Sequence, residues 1–296
     1  MKNLLVASAV LGLGCGGGKA SPQGPSTSGP KVSTVQVEGA ELQVTDSGSG
    51  TAVLFIHPVV VRDAATPLMA DPALNGKYRF ITYHRRGFGQ PTGAVSLDMQ
   101  AADAAAVLKH VGVDRAHVVG ISYGAAIALQ LAVDSAGQVQ SLTLMEPPMF
   151  HLVPSGGKFI EAVGPVVKAY QDKNNAGALE MFLGAIGGPE IRASMDKNLP
   201  AGAWDNSLTN LDTFFQVEFP ALGEWKFGAD AAKTIKSPTL FLKASESHPA
   251  FREGADVLAP WIPQMKVVDV AGANHLMSVT HAPQSAAALA TFWAAN

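Results

Sequence analysis

The sequence predicts an α/β fold: a mostly parallel central sheet flanked by helices, with a helical cap inserted into it. Three observations carry that prediction. Apolar runs of strand length alternate with stretches whose apolar residues recur at helical spacing, the pattern of parallel strands joined by crossover helices. Runs such as Ala52–Ile56 are apolar at successive positions, as strands covered on both faces are. Finally, Gly120-Ile121-Ser122-Tyr123-Gly124 joins one such run, Ala116–Ile121, to a helical stretch, which puts a serine on a sharp strand-to-helix turn.

The elements begin only after a leader. Met1-Lys2 supplies a positive charge, Leu4 to Leu13 is a short apolar stretch, and the single cysteine follows in Gly14-Cys15-Gly16. Residues 1–15 therefore read as an export signal whose apolar core is too short to span a bilayer. The stretch is similar to a bacterial lipoprotein signal, which implies lipidation of Cys15 and tethering to a bacterial membrane in the cell envelope. A plain secretory signal, giving a secreted or periplasmic protein, is the other reading. Residues 16–33 have the Gly/Ser/Pro-rich composition of a flexible tether.

Residues 34–296 form the folded part. Thr34–Glu38 and Glu41–Thr45 alternate polar and apolar residues around Gly39-Ala40, an opening hairpin. Strands are expected at Ala52–Ile56, Arg79–Tyr83, Ala116–Ile121, Ser141–Met145, Thr239–Lys243 and Met265–Val270. Between them Leu97, Ala101, Ala104, Ala105, Leu108 and Val111 mark a helix, as do residues 125–132 and the last stretch from Pro283 to Trp293. From about 149 to 236 the alternation stops. That stretch is rich in helix-like segments and aromatics, and is expected to form the cap, with Trp204, Phe214, Phe215 and Trp225 lining an apolar substrate pocket.

Composition narrows the function. The chain has 296 residues, 47% hydrophobic and 15% charged, with a formal net charge of −3. No basic stripe or Lys/Arg cluster beyond Arg85-Arg86 occurs, so no nucleic acid is expected as a partner. No G-x-G-x-x-G follows a strand, and there is neither an H-E-x-x-H nor a paired Cys/His spacing, so no cofactor and no metal are expected. With one cysteine there is no intrachain disulfide.

The order of motifs resembles the α/β-hydrolase superfamily in its serine-nucleophile branch. Those motifs are Ile56-His57-Pro58, then Tyr83-His84-Arg85-Arg86-Gly87-Phe88-Gly89, the pentapeptide around Ser122, a cap, and Gly272-Ala273-Asn274-His275. The resemblance implies Ser122 as nucleophile and His275, in the loop after the last strand, as its base. It also implies an oxyanion hole built from the backbone N–H groups of Tyr123 and of Val59, because Pro58 has none to offer. The acid is not settled by the sequence. Relatives place an aspartate after the strand corresponding to 239–243, but Ser247 stands there, which leaves Glu146 at the end of strand 141–145 as the expected acid and Glu246 beside Ser247 as the alternative.

These readings converge on a serine hydrolase acting on a small or medium apolar carboxylic ester, a small-molecule substrate, through an acyl-enzyme. Carbon–carbon bond hydrolysis or cofactor-free haloperoxidase-type chemistry on the same triad is a second reading. A ligand-binding, receptor-like hydrolase fold without turnover is a third, resting on the serine at position 247. An aspartate-nucleophile enzyme is disfavoured by Ser122 itself.

Overall fold

A computed structural model of the chain describes residues 29–89 and 92–296. The predicted signal, Cys15 and most of the tether lie outside the described residues. The opening hairpin is longer than its alternation suggests: β1 (Lys31–Val37) pairs with β2 (Ala40–Gly48) from Lys31 opposite Asp46 onward. Lys31, Val32 and Ser33 are thus strand rather than tether. Ladder hydrogen bonds to a longer β2 extend pairing past the point where side-chain alternation stops being informative.

The other strands are β3 (Ala52–Ile56), β4 (Arg79–Tyr83), β5 (Ala116–Ile121), β6 (Val139–Met145), β7 (Thr239–Ala244) and β8 (Met265–Val270). The sheet order is β1-β2-β4-β3-β5-β6-β7-β8. Pairs β1–β2 and β2–β4 are antiparallel, and every pair from β4 to β8 is parallel. After β3 the chain steps to one side to make β4, then crosses to the other side to make β5. The sheet therefore reverses its winding between β3 and β5, and in open α/β sheets the crevice beyond the carboxyl ends of such strands is where ligands bind.

Helices α1 (Thr66–Ala70), α2 (Leu97–His110) and α3 (Tyr123–Asp134) belong to the sheet region. Helix α2 starts on Ser96, whose hydroxyl accepts the Met99 N–H at 3.1 Å, a regular side-chain cap. Between β6 and β7 the chain forms α4 (Gly156–Ala162), α5 (Gly164–Gln171), α6 (Asn175–Gly187), α7 (Ile191–Asn198), α8 (Ala203–Thr209), α9 (Leu211–Thr213), a π-helical turn (Phe214–Glu218), α10 (Phe219–Glu224) and α11 (Ala229–Ala232). After β7 come α12 (Pro249–Arg252) and α13 (Gly254–Leu258), and after β8 α14 (Met277–Thr280) and α15 (Ala282–Trp293).

On β5, far from Ser122 along the strand, His117 lies buried against α15. Its ring stacks on Trp293 with centroids 5.4 Å apart, and its Nδ1 is 2.7 Å from Ser141 Oγ. Burial pushes its pKa down to about 4, from about 6.5 in the unfolded chain. Between those values the unfolded chain holds a proton that the folded one does not, so this group makes stability rise with pH across that window. Urea unfolding followed from pH 4.5 to 6.5 should show that rise, and His117→Gln should make the slope shallower by up to about one proton.

Candidate active site

The strand-to-helix turn at Ser122 exists because two positions lack a Cβ. A side chain at Gly120 would be driven into Gly124 and Ala125, and one at Gly124 into the carbonyls of Ile56 and His57. Without either, α3 packs its first turn directly over the end of β3. Ser122 then takes φ +52 and ψ −119, a conformation that costs a non-glycine residue free energy. Two hydrogen bonds hold it there: Ser122 N–H to Met145 O at 2.9 Å, and Ala125 N–H to Ser122 O at 2.7 Å.

Ser122 Oγ lies 2.8 Å from His275 Nε2, and His275 Nδ1 lies 2.8 Å from Glu146 Oε2. An ionised carboxylate only accepts, so Nδ1 carries the imidazole proton and Nε2 is free to accept from the serine. Glu146 is fully buried at the end of β6, with φ +51. Its other bonds come from Ala244 N–H at 2.9 Å and from Ser247 Oγ at 2.8 Å. The residue standing where relatives carry an aspartate therefore donates to the glutamate instead.

Glu246 does not join this group. It is exposed, its side chain meets only Ser245 Oγ at 3.0 Å, and its backbone N–H is taken by Ala273 O at 2.8 Å. That bond joins the loops after β7 and β8; Glu246 is exposed there while Ser247 is buried. His275 is further fixed from the cap, where its N–H donates to Ile186 O at 3.2 Å, and by Phe251, whose ring stacks on the imidazole at a centroid distance of 3.7 Å.

Val59 and Tyr123 both line the cavity above Ser122. Tyr123 is the first residue of α3, so its N–H has no intrahelical acceptor and sits at the positive end of the helix dipole. Val59 is held by a γ-turn in which Val61 N–H returns to Val59 O around Val60 at φ +49. A β-branched residue in that region is strained, and nothing in the sequence announces it.

A buried polar cluster supports this loop from behind. Arg85 donates to His57 O at 3.1 Å and to Pro58 O at 3.0 Å, and it pairs with Glu218 of the cap and with Gln100 Oε1 at 2.7 Å. Gln100 in turn donates to Tyr123 Oη at 2.8 Å. His57 accepts the Arg85 N–H on Nε2 and contacts Pro58 O through Nδ1, which fixes a neutral tautomer. Burial and the Arg85 charge hold its pKa well below the usual imidazole value. Burial pushes the Glu218 pKa up, opposed by Arg85. The next residue, Arg86, makes a bidentate pair with Asp103 of α2 at 2.6 and 2.7 Å.

Above Ser122 and His275 lies a cavity of about 40 Å3 whose walls are otherwise apolar. Phe214 and Phe215 line it, as the sequence suggests, together with Phe150, Phe159, Phe182 and Phe251. Trp204 and Trp225 do not. Trp204 is buried within the cap under the Arg192 guanidinium, 4.6 Å from its ring. Trp225 stacks on Phe227 and donates to Gln130 Oε1 of α3 at 2.8 Å. Composition marks the cap as aromatic, but which face each short helix turns inward depends on its packing. Phe159 and Phe251 were missed because they stand outside the densest aromatic run.

Residues 63–282 match the family described as alpha/beta hydrolase fold. The chain belongs to that family. As an alpha/beta hydrolase it is 26% identical over 222 residues to a non-heme haloperoxidase of Rhodococcus erythropolis, covering 71% of this chain and 79% of that one. Among solved structures it is similar to a thermophilic esterase from Thermogutta terrifontis, with TM-score 0.70 and 19% identity, covering 90% of this chain and 99% of that one. An enol-lactonase from Burkholderia xenovorans gives TM-score 0.69 at 17% identity, covering 88% and 100%. At these identities the two structures speak for the fold alone.

Two outcomes follow from the geometry. Glu146→Gln should lower kcat on any turned-over ester by about a thousandfold or more, because the amide favours the wrong imidazole tautomer, while Glu246→Gln should leave kcat within about twofold. Arg85→Met should cost about 3–5 kcal/mol in urea unfolding, since it strands the Glu218 carboxylate. Adding Glu218→Leu should recover part of that loss, the His57 and Pro58 carbonyls still lacking their donor.

Proposed function

We propose that this alpha/beta hydrolase is a serine esterase that cleaves neutral, apolar carboxylic esters through an acyl-enzyme. The observation that carries this reading is the relay of 2.8 Å contacts from Ser122 through His275 to Glu146, opening onto an apolar cavity. Ser122 Oγ attacks the ester carbonyl carbon as its proton passes to His275 Nε2. The Val59 and Tyr123 amides take up the charge on the carbonyl oxygen. The carbon–oxygen bond to the alcohol then breaks, and the alkoxide takes the proton from Nε2. Water repeats the sequence on the acyl-enzyme, releasing the acid and restoring Ser122.

Glu146 orients the imidazole and offsets its positive charge while the proton is held. Ser247 supports this role rather than speaking for a non-catalytic protein, since its hydroxyl donates to the carboxylate. A second reading, peroxide-dependent halogenation on the same residues, is favoured by the similarity to the Rhodococcus haloperoxidase. The leader suggests an envelope location with tethering through Cys15.

Two measurements test this. A fluorophosphonate probe should label the protein at Ser122, and Ser122→Ala should abolish both labelling and hydrolysis of p-nitrophenyl butyrate. Full activity in Ser122→Ala would exclude the mechanism, and faster bromination than ester cleavage would favour the second reading.

A further inference from the structure

The cavity over Ser122 is small. At about 40 Å3 it holds a few water molecules or a short acyl group, far below the roughly 300–1,000 Å3 of ordinary ligand pockets. Beside it, between α4 and α10, lies a second cavity of about 440 Å3. Three residues, Phe150, Phe219 and Leu222, belong to the walls of both. Phe150 and Phe219 are half-buried, with surface toward each space.

The outer cavity has a consistent chemistry. Ile160, one of the few exposed large apolar residues among the described ones, contributes to it at 39% exposure. Gly157 and Gly223 leave its floor open, with nothing within 4 Å of where a Cβ would stand on either. His151 and Glu161 are its polar members, and both are exposed. Of the three shared residues, Phe150 is the one held in place. Gly156, at the start of α4, packs so closely on the Phe150 carbonyl that no Cβ fits between them. Phe150 also stacks on Phe159 at 4.8 Å and meets Phe251 at 5.4 Å, the ring that lies on His275.

We propose that the outer cavity is an acyl-chain subsite, so that the enzyme takes esters of medium- to long-chain hydrocarbon acids, whose distal methylenes pass the Phe150–Phe219–Leu222 wall and lie along Ile160 and Gly157. This rests on the serine-esterase reading above and adds to it the substrate's length. An acetyl group is short enough to stay within the inner cavity and gains nothing outside it. A decanoyl chain exceeds that volume, and the adjoining apolar surface lies just beyond the shared wall. The outer cavity carries no buried polar group that would select a charged or sugar-like occupant, so the chain bound there is plain hydrocarbon.

The test is a chain-length series of p-nitrophenyl esters, acetate to decanoate, on the unmodified protein and on Gly157→Trp, which fills the outer cavity from an exposed position outside the catalytic group. The unmodified protein should prefer decanoate over acetate in kcat/KM. Gly157→Trp should lower kcat/KM for decanoate by at least about tenfold, the worth of only a couple of buried methylenes, and leave acetate within about twofold. Ile160→Asp, a surface change that places a charge in the same cavity, should give the same selective loss. Decanoate turnover unaffected by either variant, or an equal loss on acetate and decanoate, overturns the subsite while leaving the esterase reading standing. Failure of the unmodified protein to cleave any ester in the series overturns that reading itself, and the subsite with it.

Discussion

A carboxylate with no solvent exposure holds this site together. Burying an isolated charge costs several kcal/mol unless donors surround it. Glu146 receives three: an amide from the end of β7, a hydroxyl from the loop beyond it, and an imidazole N–H from the loop after β8. They can converge because β6, β7 and β8 lie side by side and parallel, so their carboxyl ends open at one edge of the sheet. The direction of His275 Nε2 follows from that anchoring, and with it the contact to Ser122. Strain gathers at the same edge. Ser122 and Glu146, following the adjacent strands β5 and β6, both have positive φ, and the Ser122 N–H is bonded to Met145 O between them. Such conformations persist only where the surroundings over-determine them.

Two of the contacts between the cap and this edge lie closest to the triad and its supporting cluster. One is Glu218, at the end of the π-helical turn, which reaches Arg85 behind the loop carrying Val59. The other is the end of α6, where Ile186 O accepts from the His275 amide and Gly187 O from the Asn274 side chain. With Asn210 Nδ2 donating to Val60 O at 3.3 Å, the cap thus touches both the loop carrying Val59 and the loop carrying His275. π-Helical turns are rare and concentrate at functional sites. Here one turn carries both Phe214 and Phe215, which line the cavity, and Glu218, which joins the Arg85 cluster.

Much of this was legible in the sequence, and the limits have physical causes. Strand positions were readable because fully covered strands are apolar throughout, and the turn at Ser122 because glycine is required on both sides of it. His275 could be placed from its loop after the last strand. The sequence favours Glu146 over Glu246 without deciding between them, since both stand at the carboxyl ends of strands. What separates them is the path of residues 244–248, fixed by Glu246 N–H pairing with Ala273 O across the sheet. The strained γ-turn at Val60 left no trace in composition. Nor did the Arg85–Glu218 pair, whose members are 133 positions apart in the chain. The aromatic content of the cap points to Trp204 and Trp225 as pocket residues, yet their partners are elsewhere, in Arg192 and in Gln130. Patterns local in sequence were read, and those that depend on how two distant segments meet were not.

The cavity's composition decides what kind of selectivity the proposed esterase can have. Apolar walls lower the local dielectric and so strengthen the bonds from Glu146 to His275 and from the two amides to a developing oxyanion. The same walls offer a substrate no hydrogen bond beyond the reacting carbonyl. A polar group brought inside would lose its water without a replacement, at roughly 1–3 kcal/mol for each unpaired donor or acceptor. An extra methylene that fits gains only about 0.8 kcal/mol. Exclusion of polar substrates is therefore steep, whereas choice among hydrocarbon chains is shallow and must accumulate along the chain. Discrimination by length then depends on how much apolar surface lies beyond the first few carbons. That makes the wall formed by Phe150, Phe219 and Leu222, rather than the residues around Ser122, the place where specificity is set.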